Sequence, residues 1–225
     1  MRQFGACVLG TATLEALQAH TRRAQAASIQ GGWAGYGALR PLADQRGIAV
    51  LALLSGFSHV TFSHLGEAVA GGTVARNLDG MAAFARSDGT VRLIRNHEVR
   101  NKPGDAAAGV GGPDDTRYDR QALGGCHVID FDPLTRKRVR EFGGLNGTLV
   151  NCAGGYAWKQ RGWLSCEETT DGPAQGYAQK HGYVFYVPAS LERTHPARPL
   201  KALGRFRHEA ATADRGGIVY LTEDA

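Results

Sequence analysis

No apolar run in the chain approaches the ~20 residues that cross a bilayer, which excludes a transmembrane helix. Basic residues are scattered, with no stripe of lysine and arginine interleaved with aromatics, and this argues against a nucleic-acid partner. The formal net charge of +5 fits either an anionic ligand or a plain basic surface. Aromatic side chains are scarce at 8%, whereas glycine reaches 31 of 225 residues, well above the usual ~7%. That balance implies many turns and few long helices, and makes a turn-rich β protein the expected class.

Cysteine is also sparse: Cys7, Cys126, Cys152 and Cys166. The N-terminus begins Met1-Arg2-Gln3-Phe4, continues through a small and apolar stretch from Gly5 to Ala19, and reaches an A-x-A pattern at Ala24-Gln25-Ala26. Arg2-Gln3-Phe4 reads as the tail of a twin-Arg signal, although Glu15 and Arg22-Arg23 interrupt its apolar core. Residues 1–26 are therefore expected to be an export signal, placing the protein in the periplasm or outside the cell. Removal of Cys7 would leave an odd number of cysteines in an oxidising compartment. At least one thiol is then free or bound to something other than sulfur, a hint of a metal thiolate.

Residues 27–56 read as a linker or lead-in segment, within which the apolar run Ile48–Leu54 suits either a buried strand or a piece of helix. Residues 57–225 carry short β-type runs separated by Gly, Asp, Asn and Pro. These are Met81–Arg86, Val91–Asn96, Cys126–Phe131, Lys137–Phe142, Trp163–Cys166, Tyr183–Val187 and Ile218–Thr222. Lys102 to Asp119 is a long Gly-rich loop. Many short strands without helical spacers predict an antiparallel sandwich, barrel or propeller.

Strand ends carry the chemistry. Arg95-Asn96-His97-Glu98, Ser165-Cys166-Glu167-Glu168 and Leu221-Thr222-Glu223-Asp224 each finish a strand in acidic residues, and each strand is the second half of a hairpin. A turn over Ser87-Asp88-Gly89 pairs Arg86 with Thr90 and brings Leu78 and Asp79 beside Glu98 and His97. A turn over Trp158–Arg161 pairs Ala157 with Gly162 and sets Cys152 opposite Glu167. A turn over Asp214–Gly217 pairs Ala213 with Ile218, Glu209 with Thr222 and His208 with Glu223. Ligand-type residues thus converge at one end of all three hairpins, at intervals that suggest repeated blades around an axis.

Carboxylates held together repel unless a cation lies between them. Asp79, Glu98, Glu167, Glu209, Glu223 and Asp224 offer hard oxygen donors for calcium, magnesium, manganese or ferric iron, and the Cys152 thiolate adds a softer ligand that calcium would not select. Taken singly, a strand-terminal glutamate is a solvated edge charge, and Cys152 a small buried hydrophobe. His97 and His208 read as hydrogen-bonding groups that orient the ligands. Repetition across three hairpins is what favours a metal site.

These residues resemble the PhoX-type alkaline phosphatases. The resemblance rests on Leu78-Asp79-Gly80-Met81, Arg95-Asn96-His97-Glu98, Gly147-Thr148 through Asn151-Cys152-Ala153-Gly154-Gly155, and Trp163-Leu164-Ser165-Cys166-Glu167-Glu168. It continues through His181-Gly182-Tyr183-Val184-Phe185, Gly204-Arg205-Phe206-Arg207-His208-Glu209-Ala210 and Val219-Tyr220-Leu221-Thr222-Glu223-Asp224. The likeness implies a six-bladed β-propeller that is exported and hydrolyses small phosphate esters with iron (Fe3+) and calcium (Ca2+), the attacking oxygen coming from the metal site and not from a serine. By this likeness Cys152 holds iron, and Glu98, Glu167, Glu209 and Glu223, then Glu168, Asp224 and Asp79, share the two ions. Asn151, His97 and His208 are expected to support the ligands. Apart from the likeness, Arg95, Arg205 and Arg207 lie near the strand ends, where each reads first as a solvated surface charge and second, for Arg95 and Arg205 above all, as a contact for substrate phosphate.

Two departures stand out. Tyr156-Ala157-Trp158-Lys159-Gln160-Arg161 is a longer, basic turn where the family carries a Pro-Trp-Gly type, and family members continue well beyond the Thr-Glu-Asp segment. Residues 57–225 are therefore expected to form a partial propeller, and a monomer. The alternatives are a non-catalytic calcium-binding propeller and an inactive fragment.

Overall fold

The structure is a computed structural model that describes residues 37–224; the expected export signal, Cys7 and Ala225 lie outside the described residues. The described chain falls into two units, one ending at Thr61 and one beginning at Phe62.

In the first unit β1 (Arg40–Ala43) and β2 (Ala49–Leu53) form an antiparallel hairpin with Arg40 opposite Leu53. Its turn is tied by Asp44, whose carboxylate accepts the hydroxyl of Thr61 and the amides of Arg46 and Ile48, and these bonds hold its pKa down at about 2. The apolar run at Ile48–Leu54 is thus a strand, inside the stretch expected to be a linker. It is mostly exposed because a two-stranded ribbon supplies no second layer.

The second unit is built from strands and short 3₁₀ turns. After the short pair β3 (Ala68–Val69) and β4 (Gly72–Thr73) come β5 (Leu78–Ala85), β6 (Val91–His97), β7 (Gly124–Asp132) and β8 (Lys137–Thr148), which form a four-stranded antiparallel sheet in that order. A three-stranded sheet follows, with β10 (Gly162–Glu167) between β9 (Asn151–Tyr156) and β11 (Val184–Pro188), and then a two-stranded sheet of β12 (His208–Ala213) and β13 (Val219–Glu223). All pairings within the sheets are antiparallel, and none of the described sheets closes on itself. The protein is all-β, and its architecture is consistent with an incomplete propeller.

Two apolar layers lie between successive sheets. Phe84 and Ile94 of the first sheet, with Val128, Phe142 and Leu145, pack on Trp163, Phe185 and Val187 of the second. Leu164, Cys166 and Val184 on its other face pack with Ala211, Val219 and Leu221 of the third. A sheet covered on both faces must be apolar on both, and β10 is buried at every position. The leading strand of each sheet lies against the next, β5 beside β9 and β9 beside β12.

Turn chemistry agrees with the sequence at the first hairpin. Asp88 Oδ1 accepts the amide of Thr90 at 3.0 Å and its hydroxyl at 2.6 Å, and Gly89 takes a φ of 84°. The third hairpin is one residue tighter than expected. Asp214 accepts the Ile218 amide at 3.0 Å and its own amide donates to Ile218 O at 2.9 Å, so Ala213 faces Val219 instead of Ile218.

Candidate metal centre

Each of the three hairpins changes register at the same end. The shift falls between Leu78 and Met81 in β5, between Ser165 and Glu167 in β10, and between His208 and Ala211 in β12. Leu78 therefore faces His97, Asn151 faces Glu167, and His208 faces Glu223. The expected Cys152–Glu167 pair is corrected by one residue, because β-bulges make two residues of one strand oppose one of the other. Asp79, Cys152 and Glu209 each follow the last paired residue of a leading strand. A bulge at this point turns the next side chain out of the pleat, and repetition aims all three toward one end.

Cys152, Glu168 and Glu209 form a group whose potential ligand atoms lie within 4.8 Å of one another. Cys152 Sγ is 3.6 and 3.7 Å from the two carboxylate oxygens of Glu209. Burial, followed by the fields of Asp79, Glu209, Glu168 and Glu98, drives the thiol pKa well above its ordinary value. Burial likewise raises Glu98, with Asp79, Glu168 and Glu209 adding to the effect and Arg100 opposing it. Five acidic groups thus act on one another across a half-buried patch. Such a set is poised for a cation, which would relieve the repulsion and favour the thiolate. The donor set fits a metal ion that tolerates both sulfur and oxygen.

The family model for the alkaline phosphatase PhoX matches residues 130–225, a stretch that runs from the end of β7 through β13 and contains all three members of this group. The match covers less than half of the chain and is consistent with a partial PhoX-type domain. No curated protein and no solved structure matches the chain. Asp79 and Glu98 precede the matched stretch and join its cluster through β5 and the end of β6.

Other expected residues are placed differently. Glu167, adjacent to Glu168, is fully buried and accepts the amides of Leu149 at 2.9 Å, Gly182 at 2.8 Å and Tyr183 at 3.2 Å, with His181 Nδ1 at 2.6 Å. Glu223 is exposed beyond His208, and Asp224 meets Arg207 at 3.3 Å. Asn151 donates to Ser165 Oγ at 2.8 Å and accepts from the Thr148 hydroxyl at 2.7 Å. His97 Nδ1 lies 3.1 Å from Arg76 O, and burial, then His127 and Arg95, lowers its pKa to about 3. His208 is buried, which also lowers its pKa.

The arginines divide. Arg95 is buried against Ser63 at 2.8 Å and Glu141 at 3.4 Å, where Glu141 also holds His127 at 2.6 Å. Arg205 donates to the carbonyls of His181 at 2.8 Å and of Thr170. Arg207 is the arginine at the cluster: Nη2 reaches Glu168 at 3.2 Å with 42% of its side chain exposed. Arg207 precedes β12 and the bulge that follows His208, so strand alternation does not reach it, and only its closeness in sequence to Glu209 marked it.

Proposed function

We propose that this protein is a metal-dependent phosphate ester hydrolase of the PhoX type, exported from the cytoplasm, with its centre at Cys152, Glu168 and Glu209. The observation that carries the reading is the convergence of one thiol and two carboxylates within 4.8 Å inside the stretch that matches PhoX. Iron is the proposed partner of Cys152, because sulfur is a poor ligand for calcium, and calcium that of the surrounding carboxylates, Asp79 and Glu98 included. A cation bound there supplies charge stabilisation for phosphoryl oxygens and acidifies a water.

The protein's own groups do the rest. The carboxyl groups of Glu98 and Glu209 in the cluster are acidic neighbours for an anionic ester, whose approach is favoured when cations are present. Arg207, half-exposed and anchored between Glu168 and Asp224, presents its remaining N–H groups to a phosphoryl oxygen. The Glu168 contact fixes the guanidinium, and Arg207→Ala, which leaves the proposed metal ligands in place, is expected to raise KM more than it lowers kcat.

The test is release of p-nitrophenol from its phosphate by the full chain, together with iron and calcium analysis. Turnover should disappear on chelation and fall at least ~100-fold in Cys152→Ser, in line with removal of a metal ligand. Turnover indifferent to both would sink the proposal. Bound calcium without turnover would favour the non-catalytic metal-binding reading.

A further inference from the structure

Asn96, at the end of β6, is fully buried and makes five hydrogen bonds. Its Nδ2 donates to Cys152 O and to Ala153 O, each at 2.7 Å. Its Oδ1 accepts from Trp163 Nε1 at 2.9 Å, Ser165 Oγ at 2.9 Å and Cys126 Sγ at 3.0 Å. The orientation of the amide follows from chemistry: an indole nitrogen only donates and a carbonyl only accepts.

Two consecutive carbonyls of a regular strand point to opposite sides. Here both are gathered by one amide group, at the place where β9 loses its register with β10 between Gly154 and Asn151. The side chain of Asn96 thus replaces the ladder donors that the bulge removes. The same peptide is closed from β5, where a Cβ on Gly80 would lie 2.8 Å from Ala153 Cα and 3.0 Å from Cys152 O. Backbone carbonyls left bare in this setting would be costly, and Cys152 would have no fixed direction.

We infer that Asn96 is a positioning residue that sets the bulge at Cys152–Ala153 and so holds the Cys152 thiol among the carboxylates of the cluster. The inference rests on the metal-centre reading for its purpose, while the clamp itself is a statement about the thiol. Held in place, the thiol is half-buried and lies within 3.7 Å of the Glu209 carboxylate. Released, it swings out of the cluster, becomes accessible and reacts faster with an alkylating agent.

The experiment measures iodoacetamide alkylation of Cys152 at pH 8, read from its peptide by mass spectrometry, in the wild type, Asn96→Ala and Val128→Ala. Val128 is a buried core residue and serves as a control for general loosening. Asn96→Ala should react at least ~10-fold faster, as a half-buried thiol gains access to the reagent, with Val128→Ala within twofold of the wild type. A folded Asn96→Ala chain whose rate equals or falls below the wild-type rate overturns the inference, as does an equal acceleration in Val128→Ala. Should Asn96→Ala not fold, Asn96→Ser is read in its place. It leaves a hydroxyl for Trp163 and Ser165 but is too short to bridge both carbonyls.

A parallel titration with Co2+ follows thiolate-to-metal absorption, which should need at least ~10-fold more Co2+ in Asn96→Ala. If the wild type shows no such absorption and Cys152→Ser binds Co2+ equally well, the metal reading has failed. The alkylation rates then decide the clamp alone.

Discussion

At the scale of single residues, His181 shows how a buried charge organises its surroundings. Its imidazole is fully buried, with Glu167 Oε1 2.6 Å from Nδ1 and Asp119 Oδ2 3.5 Å from Nε2, and the rings of Tyr118 and Tyr177 edge against it. Burial opposes the imidazolium, yet the two carboxylates outweigh it and the pKa is raised. The native chain therefore holds this proton more tightly than the unfolded chain. The stabilisation is complete below the ordinary histidine value of 6.5 and is lost as pH rises through the higher folded value. Urea unfolding across that interval should show declining stability in the wild type; a flat profile would count against the imidazolium. His181→Leu should lose about 3–5 kcal/mol at pH 6, because two buried carboxylates are left without a cation. The sequence exposed only part of this. Cys166-Glu167-Glu168 marks two acidic neighbours alike, and what separates them is His181, brought in by a loop fourteen residues downstream of Glu167. Periodicity cannot read a loop contact of that kind.

At the scale of elements, the hairpins were legible because their turns carry explicit signals. Asp88-Gly89 and Asp214 with Gly217 mark the turns. The bulges were not legible, since a strand's side-chain alternation gives no sign that one residue will be skipped. Glycine-rich strands were obscured for a related reason. Gly143–Thr148 and Asn151–Tyr156 carry between them only Thr148 and Tyr156 of the β-branched and aromatic residues that announce a strand, because their glycines serve close approach and not propensity. A Cβ on Gly155 in β9 would lie 1.6 Å from Ala211 O in β12, and one on Gly143 in β8 would lie 2.0 Å from Gly111 O. Neither contact can be relieved without moving backbone. Gly155→Ala should therefore force β9 and β12 apart and cost at least ~1–3 kcal/mol, seen as a lower Tm. The same change at Gly89, where a Cβ would meet nothing within 4 Å, costs only the strain of its positive φ. A Gly155→Ala chain as stable as the wild type would show that the leading strands do not pack this closely.

At the scale of the whole molecule, the leading strands β5, β9 and β12 bring their bulged ends into one electrostatic neighbourhood, although Asp79 and Glu209 are separated by 130 positions in the chain. The net charge of +5 gives no sign of this, because the positive residues are distributed and the acidic ones gathered. Gathering like charges has a thermodynamic signature. Asp79, Glu168 and Glu209 raise the pKa of both Cys152 and Glu98, so a cation that enters the native cluster finds no equivalent in the unfolded chain. Binding confined to the native state stabilises it by RT ln(1 + [L]/Kd), about 2.7 kcal/mol at a hundredfold excess over Kd. Thermal melts of the full chain with rising Ca2+ or Fe3+ should therefore move upward without saturating abruptly, and EDTA should reverse the shift. Glu209→Gln removes a charge from the cluster while keeping its shape. It should raise the Tm measured in EDTA, since repulsion is relieved, and reduce the gain on adding metal. A variant that loses stability in EDTA and gains as much from metal as the wild type would mean that the carboxylates of this end are ordinary edge charges.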